Sequence, residues 1–389
     1  MRNIKKYKRA SGGLIINILE EMERLKIRKA LFSSLVLTLF LAGCAGKTAT
    51  EIEQDTSSKE EVSANTQEKA LTPVNVGYLP STGHSLYFIA EGEGYFEEAG
   101  LDVSFSLFSN SGEGINAVAA GQLDIGTFGT AAPLKFEEQG AEFVIFGGQM
   151  GEGAGIVAKP ENAEGLKDPA NFEGKKVATV SLATGDVVWR SAVHDAGLDL
   201  ENDLEIVEMQ SANDVIVAVN QGEVDAGVVW VPYVEKAKQE GLEIVAYTNE
   251  YMEDHVCGRI IANTDKFKEE PETYIAFMEA MIKAERFLAD ENNKKAVLAD
   301  VVAFIDVDKE IIEKDLYDGY LVQSADLDKN AILAFREKMV EIGYLAEDKD
   351  VSGIIDIEVY KSALENLKAE NPEDPFYQEL EERYVEKNL

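Results

Sequence analysis

Between residues 74 and 246 short apolar runs alternate with segments of helical spacing, and this alternation restricts the fold more than any other feature of the chain. Strand-like runs fall at 74–78, 101–108, 121–126 and 143–146, then again at 174–180, 204–208, 226–229 and 244–246. Helical segments fill the gaps at 86–94, 114–120, 131–139, 186–196 and 213–220 and continue through Ala237. Strands that alternate with helices form a largely parallel sheet covered on both faces. The two series share a phrase, Gly121-Gln122-Leu123-Asp124-Ile125-Gly126 and Gln221-Gly222-Glu223-Val224-Asp225-Ala226-Gly227. In each, a Gly ends a helix at positive φ and an Asp opens a buried strand, so the chain is expected to build two α/β lobes of related design.

Beyond Lys266 the pattern turns helical, at 274–290, 294–304, 309–317, 329–342 and 357–367. Most of this segment is expected to pack on the first lobe, with the Glu-rich end after Pro375 an exposed helix or a frayed tail. The expected divisions are 73–152 for lobe 1, 153–258 for lobe 2, and 259–389 for the return to lobe 1 and the C-terminal helices.

Arg24, Lys26, Arg28 and Lys29 precede an apolar stretch, 30–42, that closes on Leu41-Ala42-Gly43-Cys44. The stretch falls short of the roughly 20 residues that span a bilayer. A basic region, a short apolar core and small residues before a break describe a signal peptide over 22–43. Residues 1–21 fit no part of it and read as an upstream extension; 44–72, rich in Thr, Ser, Glu, Gln and Lys, reads as a flexible tether. The Leu-Ala-Gly-Cys tetrad resembles the lipobox of bacterial lipoproteins, which implies that Cys44 is acylated and anchors the chain outside the cell membrane.

The 72 Asp and Glu outnumber the 37 Lys and Arg, and a net charge of -35 opposes nucleic acid as a partner. Two cysteines supply neither a disulfide framework nor a multi-Cys zinc site, and His84, His194 and His255 lack ligand spacing. No metal or cofactor is expected.

Val76-Gly77-Tyr78, the 90–96 segment, the 120–126 phrase, Phe172-Glu173-Gly174-Lys175-Lys176-Val177-Ala178 and the 224–233 run together resemble the nitrate, sulfonate and taurine binding proteins of the NMT1/THI5-like group. That resemblance implies a two-lobed type II periplasmic-binding-protein clamshell of α/β class with a largely helical C-terminal segment. It implies a monomer that closes over a small molecule outside the cytoplasm and presents it to an ABC permease driven by a cytoplasmic ATPase. A sulfonate, taurine or nitrate-like organic anion is the expected ligand. A thiamine-precursor pyrimidine, a pyrimidine-precursor synthase activity and a sensory or adhesive role are the alternatives. The synthases carry a cysteine-rich motif that this chain lacks.

Ligands of open α/β sheets collect at the carboxyl ends of the strands. This rule selects Ser81, His84 and Tyr87; Asn110, Ser111 and Gly112; Thr130; and Gln149 in the first series. In the second it selects Thr184, Gly185 and Asp186, then Trp230 and Tyr233. Helix N-termini in these loops suit an anion, although each Ser, Thr or Asn also fits a plain helix cap. Trp230 and Trp189 are candidates for an aromatic wall, and Arg190 for an anion partner or an exposed helical charge. His255, Cys257 and Arg259, expected at the return crossing, are read as ligand contacts or as a hinge, with a Cys–His catalytic pair as the remaining alternative.

Overall fold

The computed structural model describes residues 70–318, 320–347 and 350–389; the leader, Cys44 and nearly all of the tether lie outside them. Each run of alternating strands builds one five-stranded sheet. In lobe 1, β1 (Thr72–Tyr78) lies between β2 (Leu101–Leu107) and β3 (Ile125–Gly129) and runs parallel to both. The chain continues through β4 (Phe143–Gly148) and β5 (Met150–Glu152) into β6 (Ala154–Ala158), the first strand of the other sheet. In lobe 2, β7 (Lys176–Val180) lies between β8 (Glu205–Met209) and β9 (Ala226–Trp230), again parallel to both. After β10 (Glu243–Tyr247) the chain returns as β11 (Gly258–Asn263) to the lobe 1 sheet.

The strand orders β2-β1-β3-β11-β4 and β8-β7-β9-β6-β10 are the same pattern. In each, the antiparallel strand is the crossing strand, wedged between the third and fourth strands of the series. The shared phrase explains how each lobe sets its register. Gly121 and Gly222 end their helices at φ of 68° and 75°. Asp124 then donates its N–H to the Asn75 carbonyl at 3.0 Å and accepts the Asn75 N–H at 2.8 Å. Asp225 does the same to Lys176, at 2.7 Å and 2.9 Å, and the carboxylate acts over 49 residues in both lobes. Each Asp pins the start of the third strand to the first.

In lobe 1 an aromatic core forms between the sheet and the helices Ser85–Gly92, Pro271–Ala289 and Glu358–Glu370. Phe96 stacks on Phe277 at 5.0 Å, and Phe88 on Phe304 at 4.7 Å. A fully buried side chain of this size contributes roughly 1.5–3 kcal/mol relative to exposure. The lobe 2 sheet follows the alternation of a strand buried on two faces. Ile156 and Ala158 join Trp189 and Phe172 in one cluster, while Val157 joins Val215 and Val219 in another.

Two elements differ from the sequence reading. The C-terminal segment after Pro375 is a docked helix, Pro375–Asn388, because Tyr377, Leu380 and Tyr384 recur on its inner face. Its last turn is fixed where the Asn388 amide donates to both Asp326 carboxylate oxygens. The Gln149–Glu152 stretch, expected to be an open ligand loop, contains β5, which pairs antiparallel with β12 (Leu321–Gln323). The two crossings bond to each other as well: Cys257 N–H to the Met150 carbonyl at 3.1 Å and Glu152 N–H to the His255 carbonyl at 3.0 Å.

Candidate ligand-binding cleft

The carboxyl ends of β1, β3, β7 and β9 converge on a cleft walled by both lobes. It holds about 590 Å³ of atom-free space, its open mouth included. Lobe 1 contributes Ser81, His84 and Ser111, and lobe 2 contributes Thr184, Gly185, Asp186 and Trp230; Cys257 comes from the return crossing.

Most of these groups are held by backbone contacts. Ser81 caps the turn Thr82–His84 by accepting the Gly83 N–H at 3.1 Å, and its hydroxyl donates across the lobes to the Val231 carbonyl at 2.9 Å. His84 Nδ1 accepts the Leu79 N–H at 3.2 Å, so the ring hydrogen sits on Nε2. Burial favours that neutral form and lowers the imidazole pKa to about 3. Ser111 opens the helix Ser111–Ala119 and accepts the Gly129 N–H at 3.2 Å. Thr184 opens the helix Thr184–Asp195, where its Oγ1 accepts the Thr130 N–H at 3.0 Å. Both hydroxyls keep a hydrogen to donate.

Gly185 is required by space. A Cβ there would stand 2.8 Å from the Ala154 Cβ, closer than two carbons pack. Asp186 follows in the first helical turn, fully buried, and takes Arg190 Nε on Oδ1 at 2.7 Å and the Tyr344 hydroxyl on Oδ2 at 2.6 Å. Arg190, a candidate anion partner, is thus committed to Asp186, and its guanidinium lies over the Tyr344 ring. Trp230 stands at the end of β9 with its ring edge-to-face with Tyr233, and its buried Nε1–H has no hydrogen-bond partner.

The other candidates lie outside the lining, each for a physical reason. Tyr87 is buried beneath it with its hydroxyl bonded to Thr127 at 2.6 Å. Asn110 is spent as a helix cap, accepting the Glu113 N–H at 3.1 Å, and Gly112 follows in that helix. Thr130 bonds the Cys257 carbonyl, and Gln149 is buried in the crossing. Trp189 turns into the lobe 2 core, edge-to-face with Phe172 at 5.5 Å. Tyr233 backs Trp230, with the Lys236 ammonium over its own ring.

His255 and Arg259 border a separate hollow with Glu152 and Asp326. Arg259 is a structural clasp, donating to the backbone carbonyls of Met150, Asp326 and Leu327. His255 bonds the Met252 carbonyl through Nδ1 at 2.6 Å. It lines that separate hollow, whereas Cys257 lines the cleft. Burial pushes the Cys257 thiol pKa up, which disfavours the nucleophilic thiolate.

Sequence reasoning missed most of the apolar lining: Leu79, Ala154, Val180, Val228 and Val229. In the sequence these residues look like core. Only their position at the sheet's ligand edge distinguishes them. Among the described residues no group of His, Cys, Asp and Glu is arranged to hold a metal ion, and no helix is long and apolar enough to cross a membrane.

Two sheets of one topology, joined by paired crossings around a cleft, make up a two-lobed chain of the type II periplasmic-binding fold. The chain belongs to the family described as NMT1/THI5 like, which it matches over residues 81–294, more than half its length. A binding protein of Brucella abortus whose name gives no ligand is 29% identical over 262 residues, covering 66% of this chain and 79% of the relative. The taurine-binding periplasmic protein of Escherichia coli is 24% identical over 171 residues, 43% of this chain and 52% of that one. Among solved structures, the nitrate-binding protein of Synechocystis PCC 6803 superposes with a TM-score of 0.69 at 16% identity, covering 77% of this chain and 89% of that one. The alkanesulfonate-binding protein of Xanthomonas axonopodis pv. citri, bound to MOPS, gives 0.64 at 16%, covering 74% and 99%. These relatives and neighbours are binding proteins rather than enzymes.

Proposed function

We propose that this chain is an extracytoplasmic, lipid-anchored solute-binding protein that captures a small molecule between its lobes and delivers it to the permease of an ABC importer. The observation that carries this reading is the cleft itself: it is walled by the ligand edges of both sheets and bridged by Ser81 to Val231 and Thr130 to Thr184. A molecule held there touches both lobes, so its binding energy favours the closed arrangement, as in hinge closure generally. The synthase alternative finds little support in the cleft, where burial raises the Cys257 thiol pKa, the His84 Nδ1 already accepts a backbone N–H and His255 lines a different hollow. Anchoring rests on the Leu41-Ala42-Gly43-Cys44 tetrad.

Capture is tested by thermal shift with nitrate, taurine, alkanesulfonates and thiamine-precursor pyrimidines. A ligand at 100 times its Kd raises stability by about 2.7 kcal/mol. The expected result is a shift by one chemical class that disappears in Trp230→Ala. A ligand whose shift persists in that variant sits elsewhere and counts against this cleft. Anchoring is tested by labelled palmitate: Cys44→Ala should abolish incorporation and release the chain from the membrane fraction.

A further inference from the structure

The polar inventory of the cleft is one-sided. Among the described residues that line it none is Lys or Arg, and the single carboxylate, Asp186, already has partners on both oxygens. The His84 ring presents an Nε2–H and no charge, because its other nitrogen accepts a backbone N–H. The remaining polar side chains of the lining are all uncharged: the hydroxyls of Ser111, Ser181 and Thr184, that of Ser81, which donates to the Val231 carbonyl, the Cys257 thiol and the unpartnered Nε1–H of Trp230. Apolar side chains, among them Leu79, Met150, Val180 and Val228, cover much of the rest.

An anion entering this cleft would leave water without meeting a fixed cation, and burying an unpaired charge is costly. The helix N-termini at Ser111 and Thr184 give limited compensation, since each already has a carboxylate in its own first turn, Glu113 and Asp186, where the positive end of the helix dipole is felt. Arg190, the nearest cation in the helix, is turned onto Asp186 and Tyr344. Neutral donors, by contrast, each gain from an acceptor that carries no net charge. The chemistry is that of a site for a molecule with an apolar body and uncharged acceptors such as carbonyl, ring-nitrogen or sulfonyl groups.

We infer that the cleft selects an uncharged, acceptor-bearing ligand ahead of the organic anions that the names of its relatives suggest. This rests on the capture reading, and the test separates the two. The full chain, extracted in detergent and freed of small molecules, is titrated calorimetrically with matched pairs: benzamide against benzoate, benzenesulfonamide against benzenesulfonate, with nitrate and taurine alongside. The uncharged member of each pair should bind at least about tenfold tighter, and Trp230→Phe, which keeps the ring body and removes the N–H, should weaken it about three- to tenfold. Tighter binding of the anions, or of nitrate or taurine, overturns the inference and leaves capture standing.

The molecules released when the freshly extracted chain is denatured are identified by mass spectrometry in parallel. A released compound that rebinds and is uncharged at pH 7 supports the inference; an anion or zwitterion overturns it. No released compound and no probe binding overturns capture itself.

Discussion

Lobe 1 and lobe 2 share a strand order and an Asp that pins the third strand to the first across 49 residues, but they differ in what is built around that frame. Lobe 1 carries the whole C-terminal helical segment and an aromatic core beneath it. Lobe 2 has small clusters on the two faces of its sheet, and its outer strand β8 is largely open. The same segment that thickens lobe 1 also reaches across to lobe 2. Tyr344 bonds Asp186, Lys314 pairs with Glu235 at 2.5 Å, and Tyr320 stacks on Tyr247 at 4.5 Å. The repeated frame therefore supplies two similar walls, and the unrepeated segment stiffens one of them and latches it to the other.

The sharpest test of that asymmetry is Phe277→Ala. Phe277 comes from the unrepeated segment and is fully buried against Phe96 and Tyr87, so its loss should cost about 3–5 kcal/mol in urea unfolding. A loss below about 1 kcal/mol would mean that the C-terminal helices rest on lobe 1 without completing its core.

A second contrast concerns buried acids. Asp186 in lobe 2 has Arg190, whereas Asp315 in the C-terminal segment has chiefly the hydroxyls of Thr82 and Tyr320, at 2.7 Å each. Burial pushes the Asp315 pKa up to about 7, more than those hydroxyls and Lys314 pull it down. A raised carboxyl pKa gives stability that is fully present below the unfolded value of about 3.9 and is lost as pH rises to about 7. Asp315→Asn should flatten the fall in Tm between pH 4 and 7; an unchanged slope would place the pH dependence elsewhere.

The shared clamp predicts matched effects. Asp124→Ala and Asp225→Ala should each cost about 1–3 kcal/mol by chemical denaturation, Asp124 the more because it also holds Lys266. If one variant is neutral, the two lobes do not rely on the clamp alike. The smallest effect is expected at the latch: Tyr344→Phe keeps the ring and removes the bond to Asp186, costing about 1–2 kcal/mol and increasing the radius of gyration in solution scattering. Unchanged scattering and stability would show that the latch is dispensable.

The parts of this architecture that could be read from sequence are those with local causes. Strand–helix alternation and the two Gly-and-Asp phrases fix two related α/β lobes, because periodicity and positive-φ glycine act within a few residues. Ser81, Thr184, Gly185 and Trp230 were accessible through the rule that ligands gather at strand carboxyl ends. What escaped depends on contacts far apart in the chain. Nothing near Trp189 reveals that Phe172 fills the space beside it, and nothing near Gln149 reveals that the following residues pair with Leu321–Gln323. Arg190 looked like a free cation until Tyr344, from the far end of the chain, closed over Asp186. Leader residues and Cys44 lie outside the described residues.

Capture between the lobes is tested most directly at Trp230, one of two tryptophans, in a Trp189→Phe background where its emission is the sole signal. Ligand-free protein is titrated with the small-molecule fraction released from the native preparation. A ligand between the lobes produces a saturable change in Trp230 emission that is lost in Gly185→Val, whose added side chain has no room beside Ala154. Binding that leaves Trp230 silent, or that survives Gly185→Val at full affinity, would place the ligand outside the cleft.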